Sequence, residues 1–160
     1  MSYEFVDRMM EQTTTGALRS PVSQTLDMYL VEFARGEAVY EMPAREQLGN
    51  PLGVIQGGVA TALADAAMAA ATTTILTDEE IQKSAITTID IFARFIRPVD
   101  AKKVETLRAE AKVVRAGGRL VWTEADLLAD GKVVGKFAST GIRVAFDPTS
   151  YLSGQGGSNE

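Results

Sequence analysis

From Gly57 to about Thr77 the chain reads GGVATALADAAMAAATTTILT, small or apolar on nearly every helical face, with one carboxylate, Asp65, among the alanines. A helix that is apolar all round has to be enclosed by protein or by lipid. Val59 to Leu76 has about the length of a membrane span, but its threonines and central aspartate favour the interior of a soluble protein. At 160 residues the chain is long enough for one core and too short for two ordinary ones. The rest of the sequence must therefore supply a wrapper for this helix, and a curved sheet is the natural one.

Strand patterns stand on both sides of it. Thr25 to Pro43 reads as two short strands, with Val31, Phe33, Val39 and Tyr40 as strand formers and Arg35-Gly36 as the turn. Ala44 to Gln56 is loop, punctuated by Gly49, Pro51 and Gly53. Ser84 to Val99 alternates, which predicts Thr87, Ile89, Ile91, Ala93 and Phe95 on a core face and Thr88, Asp90, Phe92 and Arg94 on the other. Lys103 to Arg115 and Arg119 to Ala129 alternate around Gly117-Gly118 and form a hairpin, and Asp130-Gly131 turns the chain into a last strand, Lys132 to Phe146. Phe5, Val6, Met9 and Met10 predict a short docking helix over residues 3–12. The expected architecture is α+β, an antiparallel sheet curled around one central helix. Its parts are an N-terminal helix and linker over 1–24, the main domain over 25–146, and a flexible polar tail over 147–160.

Composition narrows the chemistry. A formal net charge of -5 argues against nucleic acid and anionic membrane as main partners. The chain has no cysteine, so it has neither disulfides nor a thiolate nucleophile, which suits a reducing cytoplasm. The N-terminus, MSYEFVDRMMEQ, is acidic and does not read as a signal peptide. The whole chain has no histidine, which removes the commonest general base together with most metal and triad arrangements, so no metal site is expected. Catalysis is left to carboxylates, hydroxyls, amides and backbone groups.

Two features of the helix fit that inventory. Gly57-Gly58 opens it, where backbone N–H groups are unpaired and suited to a polarised carbonyl or an oxyanion. Asp65 lies eight residues on, about 12 Å along the axis. A base or nucleophile and an oxyanion donor must both reach one carbonyl within about 3 Å. If both act, a two-fold dimer must bring Asp65 of one subunit to the glycine pair of the other.

The pattern Asn50, Gly53, Gly57, Gly58 and Asp65, followed by Thr88-Ile89-Asp90 and Arg97-Pro98, resembles the hotdog-fold acyl-CoA thioesterases of the phenylacetate-degradation, PaaI-like branch, over about residues 36–145. The resemblance implies a thioester hydrolase in which Asp65 is nucleophile or general base. It also implies that the Gly57 N–H polarises the thioester carbonyl, with Gly58 beside it, that Asn50 orients substrate or water, and that Thr88 holds the water or the carboxylate. That family places histidine where this chain has Gln56, a side chain that cannot take up a proton near neutrality.

The hairpin Arg115, Ala116, Gly117, Gly118, Arg119 and Leu120 matches the family's coenzyme A segment, and Phe95 falls on its pantetheine channel. Arg94 and Arg97 are weaker candidates, and Trp122 reads as core or interface. No separate cofactor is implied, because coenzyme A is part of the substrate. The implied assembly is a homodimer that completes the site, pairing further into a homotetramer. The alternative is a weakly catalytic acyl-CoA binding module, for which Gln56 speaks. Hotdog dehydratases require a histidine that is absent here.

Overall fold

The computed structural model describes residues 1–145, so the tail expected over 147–160 lies outside the described residues. Helices α1 (Glu4–Thr14) and α2 (Pro21–Leu26) lead into strands β1 (Tyr29–Ala34) and β2 (Glu37–Pro43). A loop with a 3-10 turn (Glu46–Leu48) enters α3 (Gly57–Thr74), and α4 (Asp78–Ile81) follows. The chain then forms β3 (Ser84–Phe95), β4 (Thr106–Ala116), β5 (Leu120–Ala129) and β6 (Lys132–Ala145). All six strands make one antiparallel sheet in the order β1-β2-β4-β5-β6-β3, so β1 and β3 are its edges. The turn predicted at Asp130-Gly131 is present, with φ of 49° and 71°.

α3 lies against β2, β4, β5 and β3. Alanines meet at this interface from both sides: Ala60, Ala64, Ala67 and Ala71 on the helix, Ala38, Ala109, Ala111 and Ala125 on the strands, all buried. Small side chains on both surfaces let the helix sit close in the curve of the sheet, and Leu63, Met68, Met42 and Leu107 fill the space between them.

Several local expectations are corrected. The helix stops at Thr74, not near Thr77, because Thr77 begins α4 through a capping box with Glu80. Thr25 lies in α2, whose start is marked by Ser20 as N-cap and Pro21 as first residue. β3 ends at Phe95 and β4 begins at Thr106, so the 96–105 connection is longer than expected. α1 has no N-cap side chain of its own; the Asp78 carboxylate accepts from the N–H groups of Phe5 (3.0 Å) and Val6 (3.1 Å) instead. With Val6 and Met10 buried, α1 belongs to the main core.

The enclosure of α3 is also incomplete. Gly58 and Ala69 are exposed, and Thr61, Ala62, Asp65, Ala66 and Thr73 are only half-buried, so one stripe of the helix is left uncovered. Asp65 stands on that stripe and not in the core.

Candidate active site

Asp65 and Thr88 meet. The Thr88 hydroxyl donates to Asp65 Oδ1 at 3.0 Å, while Oδ2 has no partner among the described residues. The contact depends on a break in the alternation of β3. Thr88 pairs with Gly141 and Asp90 with Thr140, which leaves Ile89 as an extra residue, a bulge on the strand. An extra residue exchanges the two faces. Thr88 therefore points toward α3 on one side of the bulge, and Ile91 and Ala93 pack on the core on the other. The expectation that Thr87 and Ile89 share the core face with Ile91 is overturned, and Ile89 is 55% exposed.

The glycine pair has the expected free donors. The Gln56 carbonyl accepts from Val59 and Ala60, and no side chain caps the helix start, so the Gly57 and Gly58 N–H groups have no acceptor among the described residues. Phe95 lies against Gly57: a Cβ there would sit 3.0 Å from the ring, tight enough that the ring or the helix start would have to give by a few tenths of an ångström. The ring is held edge-on by Phe137 (centroids 5.9 Å apart, 81° between planes). Together with Ile96, Arg97, Pro98 and Val134, Gly57 and Phe95 line a cleft of about 330 Å³.

Asn50 shapes its own loop. Its Oδ1 accepts from the N–H groups of Leu52 (2.9 Å) and Val54 (3.3 Å), folding the loop on itself. Only Nδ2 remains for another partner. The loop is tied down by Ile55 N–H to the Val99 carbonyl (2.9 Å) and Gln56 N–H to the Leu48 carbonyl (2.8 Å), and the Gln56 side chain is exposed at the helix entrance.

The hairpin is separate from the aspartate within one chain. Thr88, Gly141, Val121 and Ala116 form one row across β3, β6, β5 and β4. Three strand spacings put Ala116, on the far arm of the hairpin, about 14 Å from Thr88, and two put Val121, on the near arm, about 10 Å away. The Gly117 N–H donates to the Leu120 carbonyl at 2.7 Å and Gly118 faces open space. The Arg115 guanidinium lies over Trp122, 5.6 Å from the ring centroid, and Arg94 over Phe92 at the same distance. Trp122 is 37% exposed, so it is not a core residue of the single chain.

The helix in the curved sheet, the carboxylate on its open stripe and the free glycine amides define the class of protein. The model of the thioesterase superfamily matches residues 52–136, more than half of the chain, and the chain belongs to that family. Within it the chain has the hotdog fold of the PaaI-like members. It is similar to a mutant of the phenylacetic acid degradation protein PaaI from Thermus thermophilus, with 25% identity, TM-score 0.69, and coverage of 78% of this chain and 100% of that one. A phenylacetic acid degradation-related protein of Ralstonia eutropha is 26% identical, with TM-score 0.72 and coverage of 84% and 98%. The PaaI protein of the E. coli phenylacetic acid degradation operon shares the fold at 22% identity, with TM-score 0.73 and coverage of 87% and 96%. No curated protein sequence matches the chain. No helix among the described residues is long and apolar enough to cross a membrane.

Proposed function

We propose that the protein is an acyl-CoA thioesterase, releasing a carboxylic acid and free coenzyme A. The observation that carries this reading is the Asp65 carboxylate on the open stripe of α3, held through one oxygen by Thr88 with the other oxygen free among the described residues. Asp65 takes a proton from a water that attacks the thioester carbonyl, or attacks that carbon with its own Oδ2. In either route the C–S bond breaks, the electron pair leaves with sulfur, and the thiolate takes up a proton. In the second route water then cleaves the acyl-aspartyl anhydride.

The oxyanion accepts from Gly57 of the partner subunit, because the two groups of one chain are about 12 Å apart on the helix. The edge strand β3 supports such a dimer: its 12 residues present unpaired backbone groups to solvent, flanked by Ile89 (55%), Phe92 (59%) and Phe95 (55% exposed). Arg115 and Arg119, with the Gly118 amide, would take the coenzyme A phosphates.

The test is thiol release from a panel of acyl-CoAs by the wild-type protein and by Asp65→Asn. Wild-type turnover, falling at least about 10³-fold in the variant with thermal unfolding unchanged, is expected. Full turnover in Asp65→Asn would overturn the assignment. Tight binding without turnover in the wild type would mark the protein as a binding module instead.

A further inference from the structure

A second cleft, of about 410 Å³, lies along the open stripe of α3 and is roofed by the N-terminal segment. Ala62, Asp65, Ala66 and Ala69 form one wall, with Met9, Leu18 and Val22 opposite. Its volume is that of a small-molecule site. Asp65 stands in its wall, so whatever reacts at the carboxylate has this cleft beside it. Leu18 and Val22 are 47% and 54% exposed, apolar surface that an apolar occupant would cover. No lysine or arginine is among the lining residues, and Arg19, whose charge reaches Tyr40 in the wall, is already engaged by Asp27 and the Ser23 carbonyl, so an acyl group ending in a carboxylate would find no free counter-charge in the lining.

We infer that this cleft holds the acyl chain and selects an uncharged acyl group of medium length; the inference rests on the thioesterase reading above. The stripe from Asp65 to Thr73, which also lines the cleft, rises about 12 Å. An extended chain advances about 1.2 Å per bond, so the cleft takes about eight to ten carbons. The wall from Met9 to Val22 lies outside residues 52–136, the stretch matched by the superfamily model, so the N-terminal segment adds to the cleft a wall that the matched stretch does not supply.

The experiment is calorimetric binding of S-alkyl thioethers of coenzyme A, which cannot be hydrolysed, with alkyl groups of two to sixteen carbons. Affinity is expected to rise about fourfold per methylene and to level off at about eight to ten carbons. Ala69 is exposed and one helical turn past Asp65, about 6 Å along the axis, so Ala69→Phe should move the plateau to about four carbons. Should Ala69→Phe lose its thermal transition, Val22→Trp closes the cleft from the other wall and is expected to shorten the plateau likewise. Affinity independent of chain length, or a plateau unmoved in a folded variant, would overturn the cleft assignment. Chain-length-dependent binding without thiol release from any acyl-CoA would uphold the cleft and overturn hydrolysis.

Discussion

The two ends of α3 are finished in opposite ways. At the C-terminal end most polar groups are engaged, though Arg143 Nε is buried without a partner among the described residues: Thr74 Oγ1 accepts from the Gly36 N–H at 2.7 Å and donates to the Ala71 carbonyl at 2.8 Å, and the Arg35 guanidinium reaches the Thr74 carbonyl. Beyond it, the Glu80 carboxylate accepts from the Thr77 N–H at 2.8 Å and from Arg143 at 2.6 Å. At the N-terminal end the Gly57 and Gly58 amides and one Asp65 oxygen have no partner among the described residues. A folded protein pairs its buried polar groups, whereas the half-buried or exposed Gly57, Gly58 and Asp65 can be met by water or by a ligand. Under the proposed function, changes at the open end should cost activity and changes at the closed end should cost stability.

The comparison breaks most readily at Gly57. Gly57→Ala pushes a methyl to within 3.0 Å of the Phe95 ring and misaims the amide, and thiol release should fall about 10²-fold. Adding Phe95→Leu should recover part of that loss; no recovery would mean that crowding against Phe95 is not the cause. Mixing Gly57→Ala with Asp65→Asn under subunit exchange should restore roughly a quarter of wild-type turnover, since half of the dimers are mixed and each has one intact site. No recovery despite demonstrated exchange would remove the shared site.

Thr88→Val should lower turnover about tenfold, the worth of one hydrogen bond to a charged group, with little change in unfolding temperature. An unchanged rate would make the contact with Asp65 incidental. The smallest effect belongs to the closed end: Glu80→Ala should cost about 1 kcal/mol of stability and leave turnover intact.

The Thr77 N–H first, against partial desolvation, and then Arg143 hold the Glu80 carboxyl below its ordinary value of 4.5. The stabilisation is therefore present above about pH 4.5 and disappears as pH falls through the lowered native value, where variant and wild type should unfold alike. A stability difference that persists in stronger acid would assign it to something other than this carboxylate.

Some of this was legible in the residues alone. The enclosed helix followed from the run of alanines, and the later strands followed from alternation between glycine turns, because burial on one face imposes a period. The chain also carries signals for α2 and α4, Ser20-Pro21 and Thr77 with Glu80, which are short and easily outweighed by neighbouring strand patterns. The β3 bulge has no such signal. Thr87 to Phe95 alternates without a break in the sequence, and only the register with β6 sets Ile89 aside and turns Thr88 toward Asp65. Asn50 was legible as a loop amide but not as one whose Oδ1 is engaged by Leu52 and Val54.

The sequence by itself narrowed what chemistry is possible: with no histidine or cysteine, carboxylates, hydroxyls, amides and backbone groups remain, and the spacing of Gly57 and Asp65 already separates them by about two turns of helix. Tertiary structure decided which groups stay open. Pairing register and the seat of α1 and α2 over α3 depend on contacts between residues far apart in the chain, and no local period encodes which face of a helix its neighbours leave uncovered.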